Sequence, residues 1–278
     1  MMRLGLLGEV LGHSWSPEIH QLFFQETGIE GTYKLVEVPE DRVDQFLKEA
    51  GEQFDGLNVT IPYKVKASEE ASYVSPEAKA IGAVNTLKFD GGTMEGHNTD
   101  YFGFGRLLAH NNIVVEGKDV VVLGSGGAAR AVLQNLLNQK PASLTVMARN
   151  LAKGHRDLER FFSKYPALRM IDYAHADEVP AHDLIVNTTP VGMYPRVGVS
   201  AVGMEVLGKT REAAVDIVYN PAETEFLRLA GQRGLVTCNG LYMLVAQAMA
   251  SEEIWLGRKI EPELTARIAA QMEEKIHA

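Results

Sequence analysis

A glycine-rich turn lies directly after a short apolar run near the middle of the chain. Residues 120–123 are all apolar, and Gly124, Gly126 and Ala129 follow them in the spacing G-x-G-x-x-A at the start of a helical pattern. Gly124 permits a tight turn, Gly126 lets the backbone approach a pyrophosphate, and the small Ala129 allows helix and strand to pack closely. The spacing predicts a dinucleotide site; a turn needed only for tight packing is the alternative.

The residues around the next predicted strand indicate which dinucleotide would bind. An NAD enzyme usually presents an Asp or Glu to the ribose 2′-hydroxyl at the end of this strand, which is predicted at residues 143–147. Residues 124–156 contain no Asp or Glu, whereas Arg149 and Lys153 lie where a 2′-phosphate would need cations. The pattern favours NADP. Ordinary solvated charges are the alternative for both residues.

Two serines follow the first predicted strand of the chain. Ser14 and Ser16 come after the apolar residues 4–7 and a glycine-containing loop, and a helical pattern begins near Pro17. Open α/β sheets bind ligands beyond the carboxyl ends of their strands, so both hydroxyls are candidates for ligand contacts. The alternatives are helix capping by Ser16 and a turn hydroxyl for Ser14.

Two charged residues, Lys64 and Asp100, are further candidates for the site, and each lies between predicted elements of secondary structure. Lys64 follows Asn58, Thr60 and a proline turn at the exit of a third short strand, where polar groups converge on a substrate. Asp100 precedes a helix expected to begin near Tyr101, and Asn98, Thr99 and Asp100 are all possible caps for it. A solvated charge is the alternative for Lys64, and capping is the alternative for Asp100.

The elements that position these residues suggest an α/β protein with two domains. A hairpin is predicted within residues 81–96, with its turn at DGG, residues 90–92. Strands and helices alternate from residue 102 to 237, which predicts a doubly wound, Rossmann-type sheet. Helices near 240–250 and 262–276 do not belong to such a sheet. We therefore expect domains at 1–101 and 102–237, with 238–278 packing back onto the first.

Composition excludes several classes of protein. The chain has 278 residues, 46% hydrophobic, with a net charge of −9 and no cluster of Lys and Arg, so non-specific binding to nucleic acid is not expected. Cys238 is the only cysteine, which excludes an intrachain disulfide and a thiolate metal cluster. The eight histidines have no spacing typical of a metal site, so we expect no metal.

The apolar segments of the chain are all short. The run at residues 4–7 is too short for a signal peptide, and no stretch approaches the length of a membrane span. We therefore expect a cytoplasmic protein that has no membrane partner. The sequence leaves open whether it is a monomer or a homodimer.

Eight motifs, in order along the whole chain, resemble those of the shikimate dehydrogenase family of NADP-linked reductases in aromatic amino-acid biosynthesis. They are HSWSP at 13–17, NVTIPYK at 58–64, GAVNT at 82–86, NTD at 98–100, GSGGA at 124–128, NTTP at 187–190, DIVY at 216–219 and GLYMLVAQ at 240–247. Several are weak by themselves, but their order and spacing together are specific. The resemblance implies a substrate domain, completed by the C-terminal helices, and a Rossmann-type NADP domain.

The resemblance also implies roles for particular residues. It makes Lys64 and Asp100 the catalytic pair of a reversible reduction of 3-dehydroshikimate. The residues that it places on the small-molecule substrate are Ser14, Ser16, Thr60, Asn85, Asp100, Tyr219 and Gln247. Those that it places on NADP are Gly124, Ser125, Gly126, Gly127 and Ala128 at the pyrophosphate, Arg149 and Lys153 near the 2′-phosphate, and Ile217 and Gly240 near the nicotinamide.

One departure from the family pattern bears on the cofactor. The family commonly has Asn-Arg-Thr followed by a second Arg, whereas this chain has Ala148-Arg149-Asn150 and then Lys153. NADP is still expected, with a weaker preference. Two other functions stay open: a quinate/shikimate dehydrogenase that uses NAD, and a non-catalytic sensor that binds NADP.

Overall fold

The computed structural model describes residues 1–12 and 14–277, which by their internal contacts form two compact units. The first unit comprises Met1–Gly103 and Leu244–Met272. The second comprises Phe104–Met243 and the residues after Met272. His13, which opens the HSWSP motif, lies outside the described residues.

The first unit contains a six-stranded mixed sheet. Its strands are β1 (Met2–Gly8), β2 (Gly31–Glu37), β3 (Gly56–Val59), β4 (Tyr73–Val74), β5 (Thr86–Asp90) and β6 (Thr93–His97). Their order in the sheet is β2-β1-β3-β5-β6-β4. β1 pairs in parallel with β2 and β3, whereas β5 is antiparallel to β3 and β6. The carboxyl ends of β1 and β3 therefore lie at one edge of the sheet.

The predicted hairpin is confirmed in the pairing of β5 with β6. Asp90 lies opposite Thr93, and Gly91 and Gly92 have φ angles of 55° and 83°. Two consecutive residues with positive φ are typical of the turn that matches the twist of a two-residue hairpin, and glycine adopts such angles without strain.

Among the described residues, seven α-helices lie wholly or partly in the first unit. They are α1 (Ser16–Thr27), α2 (Val43–Gln53), α3 (Lys64–Glu70), α4 (Pro76–Ile81), α5 (Thr99–His110), α11 (Leu241–Leu256) and α12 (Pro262–His277). Within the unit, α11 is tied to the N-terminal elements by buried polar contacts. His20 Nδ1 lies 2.6 Å from Glu252 Oε1, and Trp255 Nε1 donates a 2.8 Å hydrogen bond to the carbonyl of Leu87.

Capping of α1 by Ser16, the alternative to a ligand contact, is wrong. Trp15 occupies the N-cap position, no side chain caps the helix, and Ser16 is its first residue. Pro17 is thus the second helical residue, where its missing N–H still costs no intrahelical hydrogen bond. The Ser16 hydroxyl is therefore not used for capping.

The second unit contains a six-stranded parallel sheet. Its strands are β7 (Asp119–Leu123), β8 (Ser143–Ala148), β9 (Arg169–Asp172), β10 (His182–Asn187), β11 (Thr210–Asp216) and β12 (Val236–Cys238). Their order is β12-β11-β10-β7-β8-β9, and every neighbouring pair is parallel. The chain order reverses between β7 and β10, which is the point where doubly wound sheets bind dinucleotides. The predicted doubly wound sheet is confirmed.

Both faces of this sheet are covered, which explains why its strands are continuously apolar. Val120 and Val122 of β7 belong to one buried cluster, and Val121 and Leu123 belong to another. The helices of the unit are α6 (Gly127–Asn138), α7 (Leu151–Asp157), α8 (Glu159–Lys164), α9 (Met204–Leu207) and α10 (Glu225–Gly231). Alternate residues of a strand point to opposite faces, so each face of β7 packs into a separate core.

Residues 151–164 form two short helices rather than one continuous helix. Leu158 separates α7 from α8, with φ −114° and ψ 16°, and its side chain is fully buried in a core cluster. No helix of the part of the chain that the structure describes is long and apolar enough to cross a membrane.

Candidate active site

An ion pair joins Lys64 and Asp100 in the first unit. Lys64 begins α3 shortly after the end of β3, and Asp100 lies in the first turn of α5. Lys64 Nζ donates a 2.6 Å hydrogen bond to Asp100 Oδ2, and the two side chains are 28% and 20% exposed. A partly buried pair is screened less by water than one on an open surface. The pair is therefore an ammonium group held by a carboxylate and accessible to a small ligand.

Asn98 caps α5, which leaves the Asp100 carboxylate available for Lys64. The helix begins at Thr99, two residues earlier than expected. Asn98 Oδ1 accepts a 3.3 Å hydrogen bond from the N–H of Tyr101, and Asn98 Nδ2 donates to the carbonyl of Ala83 at 3.0 Å. Of the three possible caps, the structure assigns the role to Asn98.

The side-chain amide of Asn85 is almost fully buried and has a fixed orientation. Asn85 Oδ1 accepts a 2.6 Å hydrogen bond from the backbone N–H of Thr99. The hydroxyls of Thr86 and Thr99 lie 3.1 and 3.2 Å from the same oxygen. Because a backbone N–H can only donate, the atom that faces it must be the amide oxygen. The NH₂ group of Asn85 therefore points away from α5 and makes no hydrogen bond with the described residues.

Ser14, Ser16 and Thr60 lie beyond the carboxyl ends of the strands that precede them. The Ser14 and Ser16 oxygens are 3.2 Å apart, and Ser14 Oγ accepts a 3.2 Å hydrogen bond from the N–H of Ser16. The N–H of Thr60 donates to the carbonyl of Leu7 at 2.9 Å, which places Thr60 next to the end of β1. All three residues are partly exposed, and their hydroxyls can bind a polar ligand.

The last two candidate substrate residues belong to different units. Gln247 lies on α11 in the first unit, where its Nε2 donates to the carbonyl of Leu244 at 2.9 Å and its Oε1 accepts from Thr99 Oγ1 at 3.4 Å. Tyr219 follows β11 in the second unit, where burial raises the pKa of its hydroxyl above the usual value. Tyr219 is thus the one candidate substrate residue in the second unit, and the other six, including Asp100, lie in the first.

The glycine turn after β7 has the geometry of an anion cradle. Gly124 has a φ of 102°, and its N–H donates to the carbonyl of Met147 at 2.8 Å. A Cβ atom at Gly124 would lie 2.9 Å from Thr188 Oγ1, whereas one at Gly126 or Gly127 would meet no atom within 4 Å. The first N–H groups of α6 have no intrahelical acceptors. The partly exposed Ser125 and Ala128 complete a turn with room for phosphate oxygens.

Arg149 and Lys153 follow β8, as expected, but their environments differ. Arg149 is exposed and forms no ion pair with any residue in the described ranges. Lys153 Nζ forms an ion pair with Asp157, one helical turn further on, and Asn150 caps the same helix through the N–H of Lys153 at 2.9 Å. The acid that shares the charge of Lys153 lies just beyond the acid-free range 124–156. With the cradle, the exposed guanidinium fits a dinucleotide that carries a 2′-phosphate.

Ile217 and Gly240 touch each other at the end of β11. A Cβ atom at Gly240 would lie 2.0 Å from the carbonyl oxygen of Ile217, and the N–H of Gly240 donates to the carbonyl of Val218 at 3.0 Å. Only glycine fits this approach of two backbone segments. Packing alone thus accounts for Gly240, whatever else the residue binds.

A buried carboxylate supports this segment, although the sequence interpretation did not identify it. Asp216 Oδ1 accepts 3.0 Å hydrogen bonds from Asn187 Nδ2 and the N–H of Val218, and Oδ2 accepts a 2.7 Å bond from Thr224 Oγ1. Burial raises the pKa of Asp216 to about 6, and the three hydrogen bonds oppose this rise. The motif DIVY contained the residue, but nothing local distinguishes a buried acid from an exposed one.

Ser251 is a second residue that the sequence interpretation did not connect with the candidate site. It is fully buried on α11, and its hydroxyl contacts Asn58, Thr86 and Thr99 at 2.9 to 3.2 Å. Its position one turn after Gln247, on the same face of the helix, was a usable signal. Among the described residues, no group of three or more His, Cys, Asp and Glu side chains could hold a metal ion.

Comparisons with known proteins agree with this geometry. The family model described as the shikimate dehydrogenase substrate binding domain matches residues 6–87. A Clostridium perfringens protein named shikimate dehydrogenase (NADP(+)) is 43% identical over 266 residues, which cover 94% of each chain. The chain belongs to the shikimate dehydrogenase family. The resemblance inferred from the eight motifs is therefore confirmed.

Solved structures of this family have the same fold. The crystal structure of a chorismate mutase/shikimate 5-dehydrogenase fusion protein from Clostridium acetobutylicum has a TM-score of 0.91 and 44% identity, and covers 99% of this chain and 98% of that one. A Thermus thermophilus shikimate 5-dehydrogenase, solved in complex with NADP(H) and shikimate, has a TM-score of 0.84 and 34% identity, with 98% and 99% of the two chains covered. The expected α/β, Rossmann-type architecture is confirmed.

Proposed function

We propose that this chain is an NADP-dependent shikimate dehydrogenase that reversibly reduces 3-dehydroshikimate to shikimate. The observation that carries the proposal is the 2.6 Å pair of Lys64 and Asp100, in a chain that also contains the glycine cradle after β7. Family members that carry this activity in their names support the same assignment.

Lys64 is the proton carrier of the proposed reaction. NADPH, when bound, supplies the hydride to the ketone carbon, and NADP⁺ accepts it in the reverse direction. Lys64 gives a proton to the ketone oxygen during reduction and takes it from the hydroxyl during oxidation. Asp100 holds the ammonium group in place through its 2.6 Å hydrogen bond, so that the side chain does not rotate away.

The other candidate residues bind and orient the substrate. We assign the hydroxyls and the carboxylate of shikimate to Ser14, Ser16, Thr60, Asn85, Tyr219 and Gln247, together with Asp100. Support comes from the three hydroxyl groups at the ends of β1 and β3 and from the NH₂ group that Asn85 leaves unbonded. For Tyr219, the support is its place after β11 in the family motif.

The glycine cradle and the residues after β8 hold the cofactor. We assign residues 124–128 to the pyrophosphate, Arg149 and Lys153 to the 2′-phosphate, and Ile217 and Gly240 to the nicotinamide. Because Asp157 shares the charge of Lys153, Arg149 is the main phosphate ligand. We also assign residues 1–101 with 238–278 to the substrate domain and 102–237 to the NADP domain.

We further propose a cytoplasmic enzyme that acts as a monomer or homodimer on a small-molecule substrate. A single, half-buried cysteine suits a reducing compartment, since no intrachain disulfide can form. Sedimentation equilibrium at several concentrations would distinguish the monomer from the homodimer.

Steady-state kinetics with two substrates and two cofactors test the function. The purified protein should oxidise shikimate with NADP⁺ at a kcat/KM well above those for quinate or for NAD⁺. Equal or better turnover of quinate with NAD⁺ would replace the proposal with a quinate/shikimate dehydrogenase. Tight NADPH binding without reduction of 3-dehydroshikimate at any pH from 6 to 10 would indicate a sensor.

A further inference from the structure

A cluster of buried polar side chains lies behind the candidate substrate residues of the first unit. We call it the Ser251 cluster; its members are Asn58, Asn85, Thr86, Thr99 and Ser251, all of them nine-tenths or more buried. Buried polar groups without partners are costly, so the donors and acceptors of such a cluster must match. This matching determines which atom of Asn85 faces a ligand.

The proton of Ser251 has one defined acceptor. Ser251 Oγ donates to the carbonyl of Gln247 at 3.1 Å, and a carbonyl can only accept. Asn58 Nδ2, which can only donate, lies 2.9 Å from the same hydroxyl. Ser251 therefore donates to α11 and accepts from β3, and its remaining lone pair can only accept from a threonine hydroxyl.

The two threonine hydroxyls complete the pattern. Thr86 and Thr99 lie 3.0 and 3.2 Å from Ser251 Oγ, and 3.1 and 3.2 Å from Asn85 Oδ1. Their protons thus have the Ser251 and Asn85 oxygens as near acceptors, and Gln247 Oε1, 3.4 Å from Thr99 Oγ1, is a longer third one. If Asn85 were flipped, its NH₂ would face the N–H of Thr99 at 2.6 Å, with two donors and no acceptor between them.

We propose that Thr99 and Ser251 are positioning residues that lock Asn85 with its NH₂ group toward the substrate, and so make the site select a hydroxyl group of the ring. Asp100, the residue after Thr99, presents an acceptor that already holds Lys64. A hydroxyl group can accept from Asn85 and donate to Asp100 at the same time. A hydrogen atom in its place would leave the buried NH₂ group of Asn85 without an acceptor. The inference rests on the proposed function and deepens it.

Thr99→Val tests the proposal because it removes the hydroxyl and keeps the shape and the backbone N–H. We expect the KM for shikimate to rise about tenfold, the effect of losing one matched hydrogen bond, with kcat within threefold and the KM for NADP unchanged. Thr99→Ser, which restores the hydroxyl, should return the KM for shikimate to within twofold of the wild-type value. Thr93→Val, at an exposed threonine of the β5–β6 hairpin, is the matched control.

A second measurement separates positioning from a merely structural role. The ratio of kcat/KM for shikimate to that for each analogue lacking one ring hydroxyl should fall in Thr99→Val for one analogue only. A structural defect would lower the melting temperature and the active fraction but leave these ratios unchanged. Unchanged ratios in folded Thr99→Val would overturn the proposal, whatever the KM for shikimate.

Ser251→Ala provides an independent variant if Thr99→Val does not fold. It should shift the same ratio in the same direction by a smaller factor, and unchanged ratios in it would equally overturn the proposal. These outcomes presuppose an active wild-type enzyme. A wild-type protein that is inactive on shikimate would instead contradict the proposed function, so the two failures are distinct.

Discussion

In the first unit the candidate substrate residues are side chains held by other side chains, whereas in the second the candidate NADP residues are mostly backbone. Lys64 is held by Asp100, and Asn85 is held by Thr86 and Thr99. The cradle after β7 has a backbone shape that depends on Gly124. Each unit therefore uses a different means to fix its polar groups.

The difference determines which substitutions each unit tolerates. A network of side chains is sensitive to a change of donor or acceptor, even when the volume stays the same. A glycine turn is sensitive to added volume, and to any residue that cannot adopt a positive φ without strain, even when no hydrogen bond changes. Polar isosteric changes should therefore affect the first unit most, and added methyl groups the second.

The largest effect expected is that of Lys64→Ala. If the ammonium group transfers the proton, kcat should fall by roughly 10²- to 10⁴-fold, as is usual for general acid–base catalysis, while the KM for shikimate stays within a few-fold. Steady-state kinetics at saturating NADP measure this. A large rise in KM at unchanged kcat would show that Lys64 only binds substrate.

Asp100→Asn tests whether the pair acts as a unit. It keeps the shape and removes the charge that holds Lys64, so the KM for shikimate should rise and kcat should fall. The double variant with Lys64→Ala should be little worse than the more damaged single variant. Strictly additive losses would mean that the two residues act independently.

The second unit also contains one side-chain network, around Asp216. The pH dependence of the free energy of unfolding tests the contribution of Asp216 to stability. Its folded pKa of about 6 is above the ordinary value of 3.8, so the folded state holds the proton more tightly than the unfolded state. This contribution to stability is fully present below pH 4 and is lost as the pH rises through 6. The loss amounts to at most about 3 kcal/mol for two pKa units.

Asp216→Asn mimics the protonated acid and should remove this dependence. The free energy of unfolding, measured in urea from pH 4 to pH 7, should decline more in the wild-type protein than in the variant. The variant controls for every other titrating group. Parallel profiles for the two proteins would mean that Asp216 does not titrate in this range.

Local signals were enough to predict the elements that hold both sites. Glycines with positive φ mark the β5–β6 turn and the turn at Gly124, and continuous apolar runs mark the strands of a sheet covered on both faces. The short edge strands β4, β9 and β12 were not predicted. They have two to four residues and largely lack buried side chains, so no periodic pattern identifies them.

Long-range contacts account for what the sequence could not predict at the sites. Thr99 and Ser251 are 152 residues apart, and their contact exists only once α11 has packed into the first unit. The backbone N–H of Thr99 sets which end of the Asn85 amide faces α5, and this contact joins residues only 14 positions apart. The ion pair of Lys153 with Asp157 is local, in contrast, and an i,i+4 pattern would have predicted it.

Arg149→Ala tests the role of the Arg149 guanidinium. Unlike Lys153, Arg149 forms no ion pair with an acid among the described residues. The KM for NADP should rise more than tenfold, because a charge-assisted contact worth about 1.5–3 kcal/mol is lost. The KM for NAD should hardly change. Lys153→Ala should have a smaller effect, since Asp157 shares its charge.

Arg169→Ala is the matched control for Arg149. Arg169 is exposed at the start of β9, opposite Thr145, and so lies toward the amino end of the sheet. The variant should leave the Michaelis constants for both cofactors unchanged. If Arg149→Ala weakened NADP and NAD equally, its guanidinium would contact a part that both cofactors share, and the phosphate assignment would be wrong.

The smallest effect is expected for Gly126→Ala, which tests whether the pyrophosphate approaches the backbone of the turn after β7. Gly126 has φ −79°, which any residue adopts, and an added Cβ meets no protein atom within 4 Å, so the melting temperature should not change. If the pyrophosphate occupies that space, KM should rise roughly three- to tenfold for NADP and NAD alike, the cost of one weakened N–H contact. Gly231→Ala, at an exposed glycine of α10 with open space around it, is the control. A variant with unchanged KM for both cofactors would mean that the pyrophosphate does not approach Gly126, and that the turn after β7 serves packing alone.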